Sequence, residues 1–188
     1  MSISVAGNAS CAVLRDGRTR CWGALAHFFE DAGEYQTSPA VDVTWPGNVR
    51  DVSVGEDVIC AVVADGQVWC VGGLDDDGPE LGSLTGSAVP VRVLMPPASQ
   101  VHVANSVACA VLVDGGVRCW GRDTFGMLGD GAATLPECGG DCTTAPRAVV
   151  GLLPAALALP AEWPIVGGWV YCARLASGRG VGGPTSAR

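Results

Sequence analysis

The stretch CAVLVDGGVRCWGRDTFGMLGDG, Cys109 to Gly131, decides how this chain is read, because its first half is written twice more upstream. CAVLRDGRTRCWG runs from Cys11 to Gly23 and CAVVADGQVWCVG from Cys60 to Gly72. Cys11, Cys60 and Cys109 stand 49 residues apart, and so do Cys21, Cys70 and Cys119. A period of that size marks a repeat architecture, in which each copy is one supersecondary unit that hides its apolar faces against its siblings. The repeats are read as about 1–49, 50–98 and 99–152, followed by a degenerate partial repeat at about 163–182 and a frayed tail at 183–188.

Every copy opens with a short alternating segment, Ile3-Ser4-Val5, Val52-Ser53-Val54 or Val101-His102-Val103, which predicts a strand. The next segment, CAVL, ICAVVA or ACAVLV, is almost continuously apolar, which predicts a strand covered on both faces. An Asp-Gly turn follows at Asp16-Gly17, Asp65-Gly66 and Asp114-Gly115. Two hairpins fit it. A two-residue loop leaves the cysteines on opposite faces, whereas a three-residue loop with a left-handed Gly pairs Leu14 with Arg18 and therefore Cys11 with Cys21. A proline then marks a fourth extended segment, Pro39 to Val43, Pro90 to Val93 and Pro146 to Val150, suited to the outer edge of a sheet. Four antiparallel strands per unit result.

The fourth unit begins at Ile165-Val166-Gly167-Gly168 and runs through Cys172, then breaks down in ASGRGVGGPTSAR, where neither the second cysteine nor the Trp-Gly pair appears. Apolar residues make up 48% of the 188 and charged ones 16%, a balance that supports a packed core rather than disorder. With 27 Gly and 12 Pro, short strands and tight loops are favoured over helices. Net charge is −8 and no basic run occurs, so nucleic acid is not the partner expected. The start, MSISVAGNASCAV, reads as no secretory signal, and the apolar stretch Val149 to Leu159 is too short to insert in a membrane.

The repeat resembles that of the RCC1 (regulator of chromosome condensation) family, whose units carry Ala-Leu, a turn, Val-x-x-Trp-Gly and Gly-x-Leu-Gly. Ala110, Leu112, Gly115, Val117, Trp120, Gly121, Gly126, Leu128 and Gly129 match that pattern. The resemblance implies an all-β fold, a β-propeller of four-stranded antiparallel blades, here incomplete with three blades and part of a fourth. The chain departs from the pattern at Val71, which replaces the tryptophan, and at Gly33-Glu34-Tyr35-Gln36, which replaces Gly-x-Leu-Gly. The family includes an exchange factor for a small GTPase, ubiquitin-ligase modules, a light receptor and a β-lactamase inhibitor, so fold alone does not choose a role.

Nine cysteines divide into three hairpin pairs, the pair Cys138 and Cys142, and a ninth, Cys172, whose expected partner is missing. That parity favours disulfides, Cys11 with Cys21, Cys60 with Cys70, Cys109 with Cys119 and Cys138 with Cys142, and hence an extracellular or cell-surface location. A metal at Cys138 and Cys142 lacks two further ligands, and Asp75-Asp76-Asp77-Gly78 reads as a solvated loop rather than a cation site. No GxSxG is present, and His27 and His102 are the two histidines available as bases, so no catalytic set, metal or cofactor is expected.

Trp22 and Trp120 are expected to fill gaps between blades. Phe28, Phe29, Tyr35 and Phe125 lie in the variable loops and are the candidate partner-binding residues. The function expected is a non-enzymatic scaffold for a protein partner of unknown identity, with self-association through exposed blade faces also open to it. A second reading is a carbohydrate-binding module of a larger secreted enzyme, using Phe28, Phe29 and Trp45 as platforms.

Overall fold

The computed structural model describes residues 2–25, 28, 37–73, 82, 85–104, 106–137, 140–151, 172–174 and 180–182. Three four-stranded antiparallel sheets follow one another along the chain. The first blade holds β1 (Ser2–Ala6), β2 (Ala9–Val13), β3 (Thr19–Ala24) and β4 (Thr37–Val43). The second holds β5 (Val49–Val54), β6 (Val58–Val63), β7 (Val68–Gly72) and β8 (Ser87–Val93). The third holds β9 (Ala98–Ala104), β10 (Val107–Leu112), β11 (Val117–Arg122) and β12 (Cys142–Ala148). In each sheet spatial order equals chain order, and the described sheets do not close into a ring.

The hairpin register is the one with a three-residue turn. Cys11 faces Cys21, Cys60 faces Cys70 and Cys109 faces Cys119. The amides of Leu14, Val63 and Leu112 donate to the carbonyls of Arg18, Gln67 and Gly116 at 2.8, 3.0 and 2.8 Å. Two features hold the turn. Gly17, Gly66 and Gly115 take φ of 81, 84 and 86°, where a side chain would be strained. Asp16, Asp65 and Asp114 each accept the amide two residues on, at 3.1, 3.0 and 2.9 Å.

Blades meet face to face. The face that carries the cysteines points to the following blade, so the core lies between sheets. Ala9, Cys11, Val13 and Cys21 of the first blade pack with Val52, Val54, Ile59 and Ala61 of the second. Val58, Cys60, Val62 and Cys70 of the second pack with Val101, Val103, Ala108 and Trp120 of the third. The innermost strands are also tied by polar bonds: the Val54 amide donates to Ser4 Oγ at 3.0 Å, and the Val103 amide to Ser53 Oγ at 2.9 Å.

The double coverage expected of the second strand holds in β6 and β10, buried throughout, and fails in β2, where Ser10 and Ala12 are half-exposed. That side of β2 faces away from the second blade, which packs on the side of Cys11 and Val13. Trp22 sits on the same uncovered side and is likewise half-exposed, whereas Trp120 is fully buried between blades. The fourth strands lie at sheet edges as their prolines require, but they start earlier than the prolines, at Thr37, Ser87 and Cys142, and the third ends at Ala148. An edge strand tolerates proline in its interior because the absent amide points away from the ladder.

The stretch read as breaking down after Cys172 contains a strand. Here β13 (Cys172–Arg174) pairs with β14 (Gly180–Gly182), and Cys172 faces Gly182. The frayed tail expected at 183–188 lies outside the described residues.

Candidate functional site

Phe125 is the exposed aromatic among the expected binding residues that the structure describes. It is 80% exposed and takes a φ of 70°, a left-handed conformation that a bulky side chain adopts at a cost. The loop around it is braced. The Asp123 carboxylate accepts the Leu128 amide at 2.8 Å, and the Gly126 amide donates to the Asp123 carbonyl at 2.9 Å. Arg147 pairs with Asp130, whose carboxylate also accepts the Ala132 amide at 2.8 Å. Burial pushes the Asp123 carboxyl above its usual value, while the Leu128 amide pulls the other way. Leu128 and Leu135 pin the loop from below, buried against Cys109 and Cys119. The ring thus stands on a rigid mount.

The other candidates separate. Phe28 is fully buried in the core between the first two blades, so it packs rather than presents a surface. Trp45 is 9% exposed and belongs to the same core, which removes it as a platform. Both lie in loops by sequence, and only the stacking of the next blade covers them. Phe29, Tyr35 and His27 lie outside the described residues, as does the Asp75–Asp77 loop.

The hairpin cysteines are bonded, Cys11 to Cys21, Cys60 to Cys70 and Cys109 to Cys119, each with 4.1 Å between Cα atoms. All six are buried, Cys11, Cys21, Cys60 and Cys70 between blades and Cys109 and Cys119 beneath the loop that holds Leu128 and Leu135. Cys142 is also disulfide-bonded and buried, while Cys138, its expected partner, lies outside the described residues. Glu137 closes this loop by accepting the Thr144 amide at 2.6 Å and the Thr144 hydroxyl at 3.1 Å.

A cleft of about 200 Å³ opens at one end of the inner strands, between Ser4, Val5, Val54, Glu56 and His102. Sequence reading passed over it, since its walls come from three repeats. Next to it, His102 Nδ1 lies 3.4 Å from Ser53 Oγ. A hydroxyl beside an imidazole can serve as a nucleophile with its base, but the nucleophile must reach a substrate. Ser53 is 2% exposed and its oxygen is engaged by the Val103 amide, so the pair acts as a seam between blades. Burial holds the His102 ring below its usual pKa. Asp51 accepts the Val101 amide at 2.9 Å in the same seam, and burial raises its carboxyl.

No helix among the described residues is long and apolar enough to cross a membrane. No family model matches the chain, and no curated protein matches its sequence. Solved structures do match. Human WBSCR16 superposes with a TM-score of 0.65 at 20% identity, over 88% of this chain and 41% of that one. Prp20p from Saccharomyces cerevisiae, the yeast RCC1, gives 0.63 at 20% identity, over 79% and 37%. The ectodomain of the receptor kinase CR4 from Physcomitrella patens gives 0.50 at 16% identity, over 94% and 39%. The chain therefore spans about two-fifths of the length of these relatives in fold. Taken with the three stacked sheets, the likeness shows that this chain has the fold of an RCC1-type β-propeller, as an arc of three blades and a further hairpin.

Proposed function

We propose that the chain is a non-enzymatic protein-interaction scaffold, working in an oxidising setting at or beyond the cell surface, with the braced loop at Phe125 as a contact for its partner. The carrying observation is a large apolar ring held 80% exposed in a costly backbone conformation. Such strain persists where the surroundings impose it, and it collects at sites that bind. Comparable propellers take protein partners: Prp20p is described with binding to Gsp1p and histones, and yeast RCC1 was crystallised with Kap60. Three buried hairpin disulfides support the compartment, since reducing cytosol opposes them. The carbohydrate reading has lost Phe28 and Trp45 to the core and draws no support from a described platform.

The test is capture of partners on the immobilised chain beside its Phe125→Ala variant, after circular dichroism shows that both fold alike. A polypeptide retained by the first and depleted about tenfold or more on the second supports the proposal. Equal retention by both refutes the role given to Phe125.

A further inference from the structure

The two seams between blades use the same bond and differ beside it. In the first, Ser4 Oγ accepts the Val54 amide at 3.0 Å, and the residue before Val54 is Ser53. In the second, Ser53 Oγ accepts the Val103 amide at 2.9 Å, and the residue before Val103 is His102, whose Nδ1 lies 3.4 Å from the same oxygen. The repeat thus places Ser4, Ser53 and His102 at one position, 49 residues apart, and of the three the histidine titrates near neutrality.

Those contacts fix the state of the ring. Ser53 is 2% exposed, so its hydroxyl hydrogen needs an acceptor within the protein. The Val103 amide donates to Oγ, which leaves Nδ1 as the acceptor among the partners of Ser53. The hydroxyl therefore donates to an unprotonated Nδ1, and the ring is neutral with its hydrogen on Nε2. A proton added at Nδ1 turns that acceptor into a second donor. Ser53 then loses the partner of its own hydrogen, and a positive charge enters the seam. Burial acts in the same direction and holds the ring below its ordinary 6.5.

Among the described residues, β9 packs against β5, β6 and β10. β6 and β10 bring no charge, since Cys60 and Cys109 are disulfide-bonded and the rest of both strands is aliphatic. β5 brings Asp51, which accepts the Val101 amide at 2.9 Å, and Arg50, which is exposed. The turn after β5 brings Glu56, which lines the cleft beside His102, and Asp57; these carboxylates favour the imidazolium and so oppose the burial. β1 brings Ser4 to the cleft and no charge.

We propose that His102 is an acid-sensitive latch between the second and third blades: neutral, it holds the hydroxyl that fastens Val103, and protonated, it releases that hydroxyl and loosens the inner end of this seam. This is independent of the loop at Phe125. With the folded ring below 6.5, the unfolded chain binds more protons as pH falls from that value, so stability is lost through the window and the loss is complete below the folded value. Proton NMR of the intact chain follows the ring, its signal told from that of the other histidine by its loss in His102→Gln. The midpoint should lie below 6.5 in the wild type, a reading that needs no variant to fold. Ser53→Ala removes the donor to the neutral ring and should raise that midpoint by about half a pH unit. Between pH 7 and pH 5 the melting temperature of the wild type should fall by about 3 °C more than that of His102→Gln. A midpoint at or above 6.5, a midpoint indifferent to Ser53→Ala, or the same pH dependence in wild type and His102→Gln would each overturn the proposal.

Discussion

Ser53 Oγ, in the innermost strand of the second blade, accepts the amide of Val103 in the third at 2.9 Å, and both residues are buried. The matching bond, Val54 amide to Ser4 Oγ at 3.0 Å, joins the first blade to the second. Ser53→Ala leaves a buried amide without that acceptor and should cost about 1–3 kcal/mol in urea denaturation. Ser4 is half-exposed, so water can replace its hydroxyl and Ser4→Ala should cost less than Ser53→Ala. Equal losses would mean that burial does not set the strength of this seam.

Asp51 adds a pH dependence to the same seam. Burial raises its carboxyl above the ordinary 3.8, with the amides of Val101 and Val52 opposing. Between the ordinary and the raised value the folded chain holds more protons than the unfolded one. Stability contributed by this group therefore falls as pH rises through that window, and the penalty is complete above it. Asp51→Asn keeps an acceptor for Val101 and removes the charge. Its melting temperature should exceed that of the wild type at pH 7, with the gap closing as pH approaches 3; a gap that does not change with pH would rule out this cause.

Phe125 at a φ of 70° sets stability against display. Phe125→Gly frees the backbone and should stabilise the fold by about 1 kcal/mol, while Phe125→Ala keeps the strain and should not. Chemical denaturation of the two variants separates them. If Gly and Ala behave alike, the loop is not strained at this position.

The fourth hairpin offers a test of register. Gly182 stands opposite Cys172 where the blades have a second cysteine. Gly182→Cys should form a disulfide with Cys172, remove one alkylatable thiol under non-reducing denaturing conditions, and add about 2–3 kcal/mol. The same mass measurement on the wild type should find the six hairpin cysteines protected, and nine reactive thiols would undo the pairing altogether.

Much of this molecule was legible in one dimension. The 49-residue spacing, the Asp-Gly turns and the two-faced apolar runs determined the strands and the repeated sheet and narrowed the hairpin to two registers, because these depend on local backbone chemistry and on a period of two; the structure takes the register that pairs the cysteines. The same logic placed a proline on each outer edge. What only the tertiary structure decided is which side of each sheet is covered and by what. Phe28 and Phe125 both read as loop aromatics, yet stacking of the second blade buries one while the braced turn lifts the other into solvent. Ile3 and Val52 hold equivalent places in the repeat, and one is bare because burial is a property of the neighbour rather than of the residue.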